Sequence, residues 1–181
     1  MDKIHINLGS DSYDILIDNG LVGRAGPAIR DLTGASKAAI ITEDGIDKLY
    51  GTDLVRSLED AGLQTQMIVV PSSDKSRNLH LINKVYGALA DFGLGSDDVL
   101  IALGGRVVGD ITGFTAATWH RGISYIQFPT SVLSQIGSSI GGKITLDLDQ
   151  GAGKNAVGTF YQPKGVFVDP GMAKTLPRRY F

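Results

Sequence analysis

The run Gly104-Gly105-Arg106-Val107-Val108-Gly109-Asp110 has the residue types and spacing to hold an anion next to a hydrogen-bonding carboxylate. Glycine lets the backbone approach a phosphate closely. The free N–H groups of a following helical turn point at that phosphate, with the positive end of the helix dipole behind them. Asp110 then stands where a ligand hydroxyl can donate to it, or where a first-turn acid complements the dipole. The same glycines also serve an ordinary tight strand-to-helix turn, since short glycine motifs recur by chance. The dinucleotide fingerprint G-x-G-x-x-G is absent after the first buried run, where the turn reads Thr42-Glu43-Asp44-Gly45. A dinucleotide would therefore be held by a different arrangement.

Such a site needs a strand to aim it and a helix to face it. Val99 to Leu103 is an unbroken apolar run of the kind a strand buried on both faces requires, and it ends at Gly104-Gly105. Ile4, Ile6 and Leu8, then Tyr13, Ile15 and Ile17, alternate with polar residues around Gly9-Ser10-Asp11, which predicts an opening hairpin. Gly20 to Leu32 is a modest helix candidate weakened by Gly23, Gly26 and Pro27. A βα alternation follows, with strands over Lys37 to Thr42, Thr65 to Val70, Ile123 to Phe128 and Val166 to Val168, and helices over Ile46 to Ala61 and Ser76 to Phe92. This pattern predicts an α/β fold: a Rossmann-like, largely parallel sheet with helices on both faces. Ligands on such sheets bind at the C-terminal strand ends. Four of those ends carry chemistry: Thr42-Glu43-Asp44, Pro71-Ser72-Ser73-Asp74, Gly104-Gly105-Arg106 and Pro129-Thr130-Ser131.

With 43% hydrophobic residues, the 181-residue chain can bury one good core, and its net charge of −2 with dispersed basic residues gives no footprint for nucleic acid or an anionic membrane. The absence of cysteine removes disulfides, thiolate nucleophiles and cysteine-based zinc sites together. No stretch reaches the ~20 apolar residues of a membrane span, and the start has no apolar signal core. These features predict a soluble, cytoplasmic protein.

The blocks LGGRVVGDITGF, HRGISYIQFPTSVLSQ, GSSIGGK, GKNAVGTFYQPK and VFVDPGMAKTLPRR, in that order, resemble 3-dehydroquinate synthase, and the resemblance runs from the opening hairpin to the C-terminus. It implies an NAD-dependent lyase of the shikimate pathway that converts 3-deoxy-D-arabino-heptulosonate 7-phosphate to 3-dehydroquinate and phosphate. In that family a substrate hydroxyl is transiently oxidised, phosphate leaves, the ketone is reduced again and the opened ring closes. A divalent metal, usually zinc, acts there as Lewis acid. The resemblance also implies a homodimer.

Carried over residue by residue, Gly104, Gly105, Val107, Val108, Gly109 and Asp110 match the family's cofactor block. Thr130 matches a strand-end cofactor contact, with Ser131 in place of a second Thr, and Lys174-Thr175 matches a later one. Asp74 and Arg77 stand where the family has an acid and a lysine at a nucleotide contact, and Asp44, at the end of the first buried strand, is a further candidate cofactor contact. Lys143 and Lys154-Asn155 match residues near cofactor and substrate, and Arg121 matches an arginine that reaches the substrate phosphate of the partner subunit. As single residues, each of these lysines and arginines also reads as an ordinary solvated charge.

Several positions depart from the pattern. Arg106 replaces the family's third glycine and either obstructs the pyrophosphate or pairs with it. Ser72-Ser73-Asp74 replaces Asp-Gly-Glu, and Arg77 replaces a lysine. Gly137 replaces an aspartate before Ser138-Ser139. The segment from Ile144 to Ala152 is longer by two residues. The family's metal ligands, one Glu and two His, lie beyond the leucine-threonine-proline stretch, whereas the sequence stops at Phe181 and its histidines, His5, His80 and His120, are scattered. The resemblance therefore implies the NAD-binding N-terminal domain over 1–181, without the metal-binding helical domain and without turnover alone, and exposed apolar surface where that domain would dock. Two other readings are open: an oligomerising domain that has lost NAD binding, and the NAD domain of a metal-dependent polyol or glycerol phosphate dehydrogenase. The GKN and FYQPK blocks argue against the last.

Overall fold

The polar–apolar alternation at the start folds as a hairpin, in which β1 (Asp2–Ile6) and β2 (Tyr13–Ile17) run antiparallel with Ile4 opposite Ile15. The structure, a computed structural model, describes residues 1–148 and 153–176. A short helical turn, Leu21–Gly23, precedes α1 (Gly26–Thr33), so the weak helical stretch is split where its glycines lie. Then come β3 (Lys37–Glu43), a widened π turn over Asp47–Gly51 that leads into α2 (Thr52–Asp60), and β4 (Gln64–Val70). Next is α3 (Leu79–Phe92), which begins three residues later than the apolar pattern suggests because Asn78 caps it, its side chain accepting from the Leu81 N–H at 2.9 Å.

The centre of the sheet is β5 (Val99–Gly104), buried along its whole length as its continuous apolar run requires. It delivers the chain to α4 (Arg106–Thr118), after which come β6 (Ser124–Pro129), the short hairpin β7 (Lys143–Leu146) and β8 (Val157–Phe160), and β9 (Gly165–Val168). The main sheet has the order β1-β2-β9-β6-β5-β3-β4, with every neighbouring pair parallel except the opening hairpin. The hairpin β7–β8 stands apart as a second, two-stranded sheet.

Counting β3, β4, β5, β6 and β9 as first to fifth, their spatial order is 2-1-3-4-5, the doubly wound order whose direction reverses between β3 and β5. α1 and α2 cover one face over Ile40, Ile101 and Phe128, while α3 and α4 cover the other over Ile41, Leu100 and Tyr125. Buried Asp98 aligns the strand starts, accepting from the backbone N–H groups of Ser36, Lys37 and Gly95. Beyond α4, Trp119 stacks on Tyr86 and donates its indole N–H to the Leu94 carbonyl at 3.1 Å. No described helix is long and apolar enough to cross a membrane.

Candidate functional site

At the reversal point between β3 and β5, the end of β5 turns sharply into α4. Gly104 packs directly under Val108: a Cβ there would lie 2.6 Å from a valine methyl, so the turn admits glycine alone. Gly105 occupies the N-cap in extended geometry with no side chain to cap the helix. Its open side faces Glu43 at the end of β3 and Ser131 after β6; a Cβ on Gly105 would sit 3.9 Å from Glu43 Oε1 and 3.7 Å from Ser131 Oγ. The Thr130 N–H donates to the Gly104 carbonyl at 3.0 Å, and Ser131 forms its own turn with Ser134, their hydroxyls 2.8 Å apart. Three strand ends thus converge on one uncapped helix start, whose N–H groups suit phosphate oxygens while Glu43 suits ligand hydroxyls. These residues fit a dinucleotide. Glu43 is the β3-end acid beside Gly105, while its neighbour Asp44 is exposed and pairs with Lys48 at 2.8 Å.

One turn along α4 the polar groups form a network. Asp110 is nearly buried, and its Oδ2 accepts from Arg77 Nη1 at 2.7 Å while Arg106 Nε lies 3.5 Å away. Arg77, 4% exposed, comes from the loop after β4 and also donates to Thr145 Oγ1, Asn155 Oδ1 and both carboxylate oxygens of Asp147. Among the described residues its Nε has no partner. Asn155 has left-handed backbone (φ 56°), held by its N–H to Asp147 Oδ1 at 2.7 Å and by donations to its side-chain oxygen from Arg77, Thr145 and Arg106. Burial raises the Asp110 carboxyl above the usual carboxylate range, against the pull of Arg77 and the Thr145 N–H. Asp147 shifts the other way, held low first by the Asn155 N–H and then by Arg77.

Beside this network lies a cavity of about 330 Å³ whose polar lining includes Arg106, Asp110, Ser138, Lys143 and Thr145, with Gly137 leaving its wall open. Lys143 opens β7, and Lys154 precedes Asn155. Leu133, which lines it, is strongly exposed, as are Ile136 and Phe160.

The structure therefore brings Arg77, Arg106, Asp110, Lys143 and Asn155 together, with Gly104, Gly105, Thr130 and Ser131 adjoining. Asp74 is exposed in a short turn capped by Ser73. Thr175 lies in the helical turn after β9, its hydroxyl 2.7 Å from Tyr50 Oη, with Lys174 exposed beside it. Arg121 is at the far end of α4, in a turn where His120, Arg121 and Gly122 all have positive φ. Residues 149–152 of the lengthened segment, and Pro177-Arg178-Arg179 of the last block, lie outside the described residues. Sequence reasoning passed over Asp147 and Thr145, whose only signal is polar alternation in β7 and just past its end. Among the described residues no three His, Asp or Glu side chains gather as a metal site, so these residues do not fit the metal.

A family model described as 3-dehydroquinate synthase N-terminal matches residues 67–181. Curated relatives include the 3-dehydroquinate synthases of Clostridium acetobutylicum, 47% identical over 99% of this chain and 50% of the relative, and of Latilactobacillus sakei, 42% identical over 99% and 50%. The chain spans about half the length of these curated relatives. Among solved structures, a 2-deoxy-scyllo-inosose synthase complexed with carbaglucose-6-phosphate, NAD+ and Co2+ has a TM-score of 0.88 at 18% identity, covering 99% of this chain and 48% of that one. The 2-epi-5-epi-valiolone synthase of Streptomyces hygroscopicus, with NAD+ and Zn2+ bound, has a TM-score of 0.82 at 26% identity, covering 97% and 48%. The glycine-started helix at the reversal point, the buried aspartate one turn on and the match over residues 67–181 agree: this chain belongs to the 3-dehydroquinate synthase family.

Proposed function

We propose that residues 1–181 form the NAD-binding domain of a cytoplasmic 3-dehydroquinate synthase, the enzyme that converts 3-deoxy-D-arabino-heptulosonate 7-phosphate to 3-dehydroquinate and phosphate. The observation that carries the reading is the uncapped start of α4 at the reversal point, with Glu43, Ser131 and Asp110 around it. The α4 N–H groups hold the pyrophosphate, Glu43 or Asp110 takes a ribose hydroxyl, and Thr130 and Ser131 close the far wall. NAD, once bound, supplies a reversible hydride acceptor. Lys143, Lys154 and Asn155 stand beside it to receive the acid groups and hydroxyls of a phosphorylated sugar acid. On its own the domain binds without turnover, because a hydride transfer of this kind with loss of phosphate needs further acid–base and metal groups held in the same closed site.

Calorimetric titration with NAD at low ionic strength tests this. A saturable heat is expected, and none at millimolar cofactor would sink the binding claim. We also propose a homodimer in which Arg121 reaches toward the partner's site; sedimentation of the same sample should give twice the 19.2 kDa chain mass. Self-association without NAD affinity would favour the reading as an oligomerising domain instead.

A further inference from the structure

Arg106 sits where an unliganded protein gains little from it. It is the first residue of α4, so its charge lies at the positive end of that helix dipole. Its partners are already engaged. Asp110 Oδ2 is held by the buried Arg77 at 2.7 Å, with Arg106 Nε farther off at 3.5 Å. Asn155 Oδ1 receives Thr145 Oγ1 at 2.8 Å, Arg106 Nη2 at 3.0 Å and Arg77 Nη1 at 3.1 Å. A carbonyl oxygen has two lone pairs, and Thr145 Oγ1 with a shared Arg77 Nη1 hydrogen keeps this one supplied when Arg106 leaves. Arg77 is 5% exposed and Arg106 49% by side chain, so Arg106 is the one free to leave. Removing it would strand neither acceptor.

The cavity beside it has the matching imbalance. Among the described residues Arg106 and Lys143 both line it, and the one carboxylate of that lining, Asp110, is already paired with Arg77. Gly137 contributes no side chain to the wall, and a Cβ there would meet nothing. The lining is therefore cationic and partly vacant of side chains.

We propose that Arg106 is a specificity-determining ligand for an oxyanion, a phosphoryl or carboxylate group held between Arg106 and Lys143, for which Arg106 exchanges its redundant bonds to Asp110 and Asn155. The shared chemistry is a bidentate guanidinium–oxyanion contact reinforced by the α4 dipole. The oxyanion comes either from the pyrophosphate of a dinucleotide or from the acid group of a separate small molecule. The inference rests on the nucleotide reading for the first source and is independent of it for the second.

The test is calorimetric titration of the 181-residue protein with inorganic pyrophosphate and, separately, with NAD, repeated on Arg106→Gln, Arg106→Lys and Lys143→Gln. Pyrophosphate affinity should fall about tenfold or more in Arg106→Gln and in Lys143→Gln, with Arg106→Lys intermediate, as loss of a charge-assisted pair implies. The melting temperature of Arg106→Gln should stay that of the parent, because its bonds are redundant. Equal or tighter pyrophosphate and NAD binding by Arg106→Gln overturns the proposal and marks the side chain as an obstruction. If NAD and pyrophosphate each bind parent and Arg106→Gln alike, the nucleotide reading stands while this one fails. If pyrophosphate binds through Arg106 and NAD does not bind, this one stands and the nucleotide reading fails. If neither ligand binds the parent at millimolar concentration, both fail. A drop in NAD affinity matching that for pyrophosphate assigns the oxyanion to the dinucleotide, whereas a drop for pyrophosphate alone assigns it to the separate acid.

Discussion

Arg77 carries a full charge with almost no access to water, and it is tolerated because acceptors from three segments of chain meet it: Asp110 on α4, Thr145 and Asp147 at β7, and Asn155 before β8. Breaking a buried pair by removing one member costs about 3–5 kcal/mol, because the survivor stays buried and uncompensated. Arg77→Met should lower unfolding stability by that order in urea titration, and adding Asp110→Leu should recover part of it. A loss near zero in the single variant would mean that Arg106 alone neutralises Asp110. The family resemblance implies a nucleotide contact for Arg77 but could not show its burial, because that depends on the hairpin that covers it. The position of Gly104, Gly105 and Asp110, at the turn from a buried strand into a helix, was legible because the apolar run before them is continuous. Asp147 was not, because a polar residue just past a four-residue strand looks like any loop acid.

The hairpin β7–β8 is the element that the chain hides best. Each of its strands has four residues, and one contains Gly158, so neither offers a stretch of alternation long enough to recognise. Its seat is set instead by α4. Gly113 leaves a notch on that helix into which Ile144 of β7 inserts, and a Cβ at Gly113 would collide with Ile144 Cδ1. Gly113→Ala should thus cost about 1–3 kcal/mol by overpacking, despite alanine's better helix propensity. Denaturant midpoints of Gly113→Ala, Ile144→Val and the double variant check this: deletion of the Ile144 Cδ1 methyl should recover part of the loss. Strict additivity of the two changes would show that the notch is not the contact that seats the hairpin. By contrast, the parallel strands were readable in order and nearly in length, because burial on both faces imposes apolar runs such as Ala38 to Ile41 and Val99 to Leu103.

For the molecule as a whole, pH acts through two opposed sets of carboxyls. Asp14 is held low by Lys3 and then His5, Asp18 by Arg24, and Asp147 by the Asn155 N–H. A carboxyl depressed in the folded state stabilises fully above its unfolded pKa of about 3.9, and that contribution is lost as pH falls through the folded value. Asp110 works in the opposite sense: raised by burial, its contribution is present below about pH 3.9 and lost as pH rises through its higher folded value. Thermal melts from pH 7 down to pH 3 should therefore show stability falling below about pH 4. In the Asp14→Asn variant that acid loss should be smaller, and an unchanged profile would exclude Asp14 as a contributor. The chain contains one tryptophan, Trp119, stacked on Tyr86 just past the end of α4. Thirteen helical residues at 1.5 Å each separate it by about 20 Å from the glycine turn at the other end of that helix. Its emission is consequently an optical gauge of whether the α3–α4 face is assembled, read about a helix length away from whatever fills the crevice.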